Sequence, residues 1–240
     1  MKPSLLSTRS VVAALVLGGC ASSSSVEQQA ATGAVAPVAA APTTERGVFT
    51  VLRGTDTLGT ERFTRTATQL DADFATRAQG RFAYTATLLP DATVSRVEVR
   101  AYRAGSAADA QPSQRSVAVF QGDSVAIEDV REGGQPQSSR LATQRQAIPY
   151  VNPSMSLMEQ ILRRARAAGS GSGSVQVPTF VASGGGQTVS ATVTFLGADS
   201  AVVVLGPAEM RVRTDAVGRL LGAAVPAQGL VVERRDEAIP

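Results

Sequence analysis

Apolar and polar residues alternate along most of the chain between residues 47 and 235. In the stretch TVSATVTF, the apolar members of one face are Val189, Ala191, Val193 and Phe195. A period of two is typical of a β-strand that buries one face. Short segments that contain Gly or Asp separate the alternating runs, and connections of that length favour hairpins over helical crossovers. The pattern therefore predicts a mainly β domain with about a dozen strands in one antiparallel sheet.

Residues 152–169 break this period of two. Their apolar residues recur at helical spacing, in a stripe made of Leu157, Met158, Ile161, Leu162 and Ala165. Asn152 is a good N-cap, Pro153 suits the first helical position and Gly169 ends the segment. The spacing predicts one amphipathic helix. Because a sheet of a dozen strands tends to curl, we expect a half-barrel whose concave face holds the apolar stripe of the helix.

The large apolar side chains allow two interpretations of the interior. Those expected to face it form the candidate lining of a cavity: Phe82, Tyr84, Phe120, Leu157, Met158, Leu162, Phe180 and Phe195. Small inward residues such as Ala86 and Ala191 would leave room between them. The alternative is an ordinary close-packed core without a cavity. Arginines that alternate with these positions are expected on the solvated face, at residues 62, 65, 96, 100, 211 and 213.

The N-terminal region has the layout of a secretory signal. Two positive charges, Lys2 and Arg9, precede a short apolar segment, Val11 to Leu17, which is too short to cross a bilayer as a helix. The sequence Leu17-Gly18-Gly19-Cys20 follows and contains the single cysteine of the chain. It resembles the lipobox of bacterial lipoproteins. The resemblance implies that Cys20 carries lipid and that cleavage follows Gly19, whereas the alternative is a free or buried thiol.

These features divide the chain into three parts: a signal peptide over residues 1–19, a lipid anchor and tether over 20–45, and a β domain over 46–236. Residues 21–44 are rich in Ser, Ala, Thr, Gln and Pro and contain no aromatic residue. Such a composition predicts a disordered tether. Ala21 follows the cysteine, and in well-studied Gram-negative lipoproteins this favours the outer membrane. The expected location is therefore the cell envelope, at the outer membrane facing the periplasm.

Composition narrows the chemistry of the domain. The chain has no histidine, and Lys2 is its only lysine. Without these side chains, Ser-His-Asp and Cys-His catalysis, Schiff-base chemistry and imidazole-bound metals are excluded. The part of the chain after Cys20 contains 21 arginines and 20 acidic residues. Because these charges nearly balance, we do not expect the clustered positive charge that binding to nucleic acid needs. We expect no enzyme activity, no cofactor and no metal site, although carboxylate chemistry and an oxygen-ligand calcium site stay open.

The strand rhythm, the single helix and the lipid anchor together resemble periplasmic β-clam proteins, such as the lipoprotein-localisation carrier and its outer-membrane receptor. The resemblance implies a lipid-anchored envelope protein that binds an apolar ligand or acyl chain in a half-barrel. Two other hypotheses stay open. One is a structural or interaction lipoprotein with a filled core, acting as an accessory subunit, and the other is a carboxylate-dependent hydrolase. The protein partner, if any, is not indicated by the sequence.

Overall fold

The computed structural model describes residues 44–76, 80–107, 109–169, 173–182 and 185–238. Gly19, Cys20 and the predicted tether up to residue 43 lie outside these ranges. Among the described residues no helix is long and apolar enough to cross a membrane.

The described part of the chain is mainly β, with fifteen strands and one α-helix. The strands are β1 Glu45–Arg53, β2 Asp56–Arg65, β3 Gln69–Thr76, β4 Gly80–Leu88, β5 Val94–Tyr102, β6 Gln114–Gln121, β7 Ser124–Arg131, β8 Gln137–Ala142, β9 Ile148–Tyr150, β10 Gly173–Val181, β11 Gln187–Phe195, β12 Ser200–Leu205, β13 Ala208–Thr214, β14 Leu220–Val225 and β15 Leu230–Asp236. The α-helix, α1, spans Met155–Ala168, and a short 3₁₀ helix spans Pro226–Gln228.

All fifteen strands belong to one sheet, ordered β8-β7-β6-β5-β4-β3-β2-β1-β15-β14-β13-β12-β11-β10-β9. The prediction of about a dozen strands was therefore too low. The prediction of a wholly antiparallel sheet was also wrong, since β9 and β10 pair in parallel. The connection between these two strands is α1, and a helical crossover is what a parallel pair requires.

The sheet is not closed. Its two edge strands are β8 and β9, and no ladder of hydrogen bonds joins them. Across the opening, β5 contacts β9 and β8 contacts β11. The hydroxyls of Thr143 and Thr188 lie 2.8 Å apart at this seam. The sheet thus brings its two halves together around an interior face without completing the backbone pairing.

Alternation along the strands builds that interior face. On β13, Met210, Val212 and Thr214 are buried, whereas the intervening Arg211 and Arg213 are exposed. Among the arginines expected on the solvated face, Arg65 is the exception, because only 5% of it is exposed. On β2 it shares the inward parity of Phe63, so the prediction that Arg65 lies on the solvated face was wrong.

The two ends of the sheet differ. We call the end where β1 begins, at Glu45, the proximal end, and the end where β1 finishes, at Arg53, the distal end. Because neighbouring strands run in opposite directions, the turns after β2, β4, β11 and β13 lie at the proximal end. The turns after β1, β12 and β14 lie at the distal end, together with the segment that leads into α1.

The helix begins later than its sequence pattern predicts. Ser154, not Asn152, is the N-cap, and its hydroxyl accepts a hydrogen bond of 3.1 Å from the Leu157 backbone N–H. Pro153 therefore precedes the helix. Gly169 is the C-cap, as predicted, and its N–H donates to the Ala165 carbonyl at 3.0 Å. The helix packs on the interior face, against β2, β9, β10, β11 and β14.

Candidate ligand-binding site

An apolar cavity of about 390 Å³ opens at the distal end of the sheet. Its lining is contributed by Val51, Tyr150, Asn152, Pro153, Met155, Met158, Val181, Gln187, Val189, Val203, Leu205, Gly206, Pro207, Ala208, Met210, Val225, Gln228, Leu230 and Val232. Volumes of this size are typical of small-molecule sites in proteins.

The fold explains why the cavity lies there. Seven strands, β1 and β10 to β15, contribute their distal residues, and β9 contributes Tyr150. The first turn of α1 forms one wall through Met155 and Met158, whereas later apolar residues of the helix, Ile161 and Leu162, pack in the core. The interior beyond the helix N-terminus is therefore bounded mainly by strands, and the side chains there leave the cavity unfilled.

Burial falls from the floor of the cavity to its mouth. Buried Val51, Val203 and Val232 lie at its floor. The exposed lining residues mark the opening to solvent: Asn152, Gln187, Gly206, Pro207 and Gln228. A ligand would reach the cavity from the distal end.

Among the residues that the structure describes, the lining contains no charged side chain. Its polar groups are two glutamines and Asn152 at the mouth, and the Tyr150 hydroxyl. That hydroxyl donates a 3.4 Å hydrogen bond to Asn152 Oδ1. Burial raises the pKa of Tyr150, and the Glu61 carboxylate adds to this increase, so the phenol stays neutral and hydrogen-bonding. Three of the four methionines in the chain, Met155, Met158 and Met210, add soft side chains that adapt to irregular shapes.

A second cavity, of about 460 Å³, lies on the other side of the β9–β10 edge. The alternation of these two strands divides the space: Tyr150 and Val181 face the first cavity, whereas Pro149 and Phe180 face the second. The second cavity also contains the Asp129 carboxylate, which accepts a hydrogen bond from Ser116. It is therefore more polar in character than the first.

The predicted lining residues are dispersed through the interior. Met158 lies in the wall of the first cavity and Phe180 in that of the second, where its ring meets Phe120 edge-on with centroids 5.7 Å apart. The other residues pack in or against the main core: Phe82, Tyr84, Leu157, Leu162 and Phe195. Most of the aliphatic lining, including Val203 and Leu205, was not singled out by the sequence analysis.

The helix N-terminus is fixed by a buried carboxylate from the sheet. Glu61 on β2 is fully buried and accepts hydrogen bonds from the Met155 N–H at 2.5 Å and the Ser154 hydroxyl at 2.9 Å. It also accepts from the hydroxyls of Ser156 and Tyr84, each at 2.6 Å. The helix dipole and these donors stabilise the negative charge. Burial raises the pKa of Tyr84 well above its ordinary value, and the neighbouring Glu61 raises it further.

Further along the helix, Glu159 anchors a second buried network. It accepts from Arg163 Nε at 2.9 Å, from the Leu220 N–H at 3.0 Å and from Arg234 Nη1 at 2.5 Å. Arg65 Nη2 lies 3.4 Å from the same carboxylate.

Glu45 extends this network to a polar cleft at the proximal end. Its carboxylate lies 2.7 Å from both Arg163 and Arg219 and 2.5 Å from Arg234. Burial alone would raise the pKa of Glu45, but these three arginines hold it below its ordinary value. The cleft, of about 510 Å³, contains acidic and basic groups together, so its charges are largely matched within the protein.

The Glu61 network positions one wall of the cavity without lining it. The Glu61 contacts set where α1 begins, and that start places Met155 and Met158 at the cavity wall. Neither Glu61 nor Glu159 contributes to the lining. The sequence did contain a signal for Glu61 and Arg65, because both share the period-two parity of Phe63. No pattern marks Glu159, which lies beside the apolar stripe of the helix.

The fold has a counterpart among solved structures. It matches the crystal structure of a DUF1089 family protein from Pseudomonas aeruginosa with a TM-score of 0.50 and 12% sequence identity. The match covers 72% of this chain and 92% of that one. At this identity the likeness shows a shared fold and nothing more. The chain matches no family model and no curated protein.

Proposed function

We propose that this protein is a non-enzymatic lipoprotein of the cell envelope, whose half-barrel of the β-clam type holds an apolar ligand such as an acyl chain in the distal cavity. The lining of that cavity carries the proposal, because its described residues are uncharged and its most exposed members lie at the distal mouth. Apolar pockets with a few polar groups at the rim are the usual form of small-molecule sites. A dry, filled core would not leave this volume unoccupied.

The volume sets the size of the ligand. If a methylene takes about the volume share of a liquid water molecule, about 30 Å³, then roughly a dozen methylenes fit into the cavity of about 390 Å³. The cavity therefore suits one acyl chain of medium length, or the terminal part of a longer one.

The lining also sets the charge of the ligand. A charged group that enters a site without charged partners loses its hydration without compensation. Asn152, Gln187 and Gln228 at the mouth offer hydrogen bonds to hydroxyl or ester groups. We therefore favour a ligand with an uncharged head group, such as a monoacylglycerol, over a free fatty acid of the same length.

Leu205→Trp is expected to weaken binding of 1-decanoylglycerol by about tenfold or more, because the indole would fill the cavity mouth. Leu205 is a half-buried lining residue at the end of β12. Isothermal titration calorimetry below the critical micelle concentration measures the affinity. Decanoate in place of the glyceride tests the preference for an uncharged head group.

The matched control is Val204→Trp. Val204 is the preceding residue of the same strand, is 37% exposed and does not line the cavity. It should leave the affinity within about twofold of the parent. Equal losses in the two variants, or no binding to the parent protein, would favour the accessory-subunit hypothesis instead.

Lipid attachment is proposed at Cys20, from its lipobox-like context. Cys20→Ser is expected to abolish the addition of diacylglycerol and to leave the signal peptide uncleaved after Gly19, because a serine hydroxyl does not form the thioether. Intact-mass spectrometry of protein purified from membranes measures both changes. Maturation of the serine variant at the same position would rule out lipoprotein processing.

The proposed location is the outer membrane, facing the periplasm, as Ala21 suggests. Several acyl chains bind a bilayer far more firmly than one, because each buried methylene contributes about 0.8 kcal/mol. The distal cavity would then be carried on a domain tethered at its proximal end.

A further inference from the structure

We propose that the proximal end of the sheet lies directly on the bilayer that holds Cys20, and that three of its turns place apolar side chains in the lipid interface. These side chains are Leu89, Leu196 and Val217. The inference rests on the proposed lipid anchor. It adds a contact between the folded domain and the membrane, which lipid attachment at Cys20 does not by itself require.

The exposed large apolar side chains are distributed unevenly. Among the described residues there are five: Leu196 is 66% exposed, Val217 60%, Val231 45%, Leu89 43% and Val204 37%. Val231 and Val204 lie on strands near the distal end. The other three lie in turns, and all three turns are at the proximal end: residues 89–93 after β4, 196–199 after β11 and 215–219 after β13. Single exposed apolar residues are common, but three at one end of a domain form a pattern.

The part of α1 from Gln160 to its C-terminus holds these three turns in place. Arg164 donates to the Asp91 carbonyl at 3.1 Å, and Gln160 donates to the Ala92 carbonyl at 2.8 Å. Arg166 donates to the carbonyls of Gly197 and Ala198 at 3.0 and 3.1 Å. One helix end therefore fixes the turns that carry Leu89 and Leu196.

The third turn is fixed by close packing and by its own hydrogen bonds. A Cβ added to Gly218 would lie 2.9 Å from the Arg163 backbone, which shows how tightly this turn contacts the helix. The Asp215 carboxylate accepts from the N–H groups of Val217 and Arg219 at 3.0 and 2.9 Å. The three apolar side chains thus project from ordered turns, so that little conformational entropy is lost when they contact a surface.

The position of residue 44, where the described domain begins, indicates that this surface is the anchoring bilayer. Residue 44 begins the described domain at the proximal end, and the predicted tether joins it to Cys20. About 24 residues of such composition have a mean reach of roughly 25–30 Å. Because the described domain meets the predicted tether at its proximal end, a tether of this reach would keep that end within roughly 25–30 Å of the lipid. At that effective concentration, even a weak apolar contact is occupied for much of the time.

This orientation has a consequence for the distal cavity. The cavity opens at the opposite end of the strands, and the nine residues of β1 separate the two ends by roughly 25–30 Å. With the proximal end on the bilayer, the mouth faces away from it. A ligand would then arrive from the aqueous side or from a soluble carrier rather than from the anchoring membrane.

The single cysteine makes a direct test practical, because an acylated Cys20 takes no thiol label. The full-length lipoprotein is reconstituted into vesicles of phosphatidylethanolamine and phosphatidylglycerol, some of which carry a nitroxide on the acyl chain. Five variants are labelled with a nitrobenzoxadiazole fluorophore: Leu89→Cys, Leu196→Cys and Val217→Cys at the proximal end, and Val204→Cys and Val231→Cys as matched exposed controls.

We expect the lipid nitroxide to quench the three proximal labels at least about twofold more than the two controls. Equal quenching at all five positions would overturn the proposal. A blue shift of the proximal labels without lipid quenching would overturn it as well, because protein and not lipid would then cover the turns. Labelling of the parent protein at Cys20 would instead contradict the anchor, whichever pattern the quenching shows.

Discussion

Glu159→Gln is expected to lower the free energy of unfolding by about 3–5 kcal/mol, because it leaves buried arginines without a counter-charge. Glu159 is fully buried, and its carboxylate lies within ion-pair distance of Arg65, Arg163 and Arg234. Only 5% of the Arg65 side chain and 2% of that of Arg234 are exposed. Burial lowers the pKa of Arg65, and the Glu159 carboxylate opposes this decrease.

Urea denaturation at neutral pH, followed by far-ultraviolet circular dichroism, measures this loss. Glu128→Gln is the matched control, because Glu128 on β7 is 52% exposed and lies 4.0 Å from Arg115. It should change stability by less than about 0.5 kcal/mol, as exposed ion pairs do. Similar effects from the two variants would mean that the Glu159 network is hydrated rather than buried as its geometry indicates.

Most of the strands could be predicted from the sequence, because they bury one face and expose the other. The strand β9 could not. Its three residues, Ile148, Pro149 and Tyr150, are all buried and do not alternate. It pairs in parallel with β10 at the edge of the sheet, a contact that depends on the path of α1 and not on local pattern.

The start of the helix illustrates how tertiary contacts select between local signals. Asn152 and Pro153 are both favourable at a helix N-terminus by themselves. The structure uses Ser154 instead, because its hydroxyl meets both the Leu157 N–H and the Glu61 carboxylate of β2. The sheet places the Glu61 carboxylate beside Ser154. A rule that considers only the local sequence cannot include this contact.

The cavity was harder to predict than the core. The sequence analysis proposed eight large apolar side chains, five of them aromatic, and most of these fill space in the core. The distal lining consists instead of aliphatic side chains such as Val203 and Leu230, from strands that are distant in sequence. A cavity forms where neighbouring side chains end, so its position depends on where α1 begins and how the strands converge. Neither the composition nor the periodicity of the sequence indicates where α1 begins or how the strands converge.

Leu162→Ala is expected to destabilise the protein by about 2–5 kcal/mol, because it removes buried methyl groups and leaves a void in a packed region. Leu162 is fully buried in the main core and does not line the distal cavity. Its neighbours on the helix, Leu157 and Ile161, are buried as completely. The same urea titration reports the change in stability.

Leu196→Ala is the matched control, since it removes the same atoms from a side chain that is 66% exposed. It should cost less than about 0.5 kcal/mol. Because Leu162 lies outside the cavity lining, its variant should also bind 1-decanoylglycerol with the affinity of the parent, measured where both are folded. A small loss of stability with altered affinity would mean that the helix side of the core is itself part of the ligand site. Two equally small losses would mean that α1 does not pack as tightly as its burial indicates.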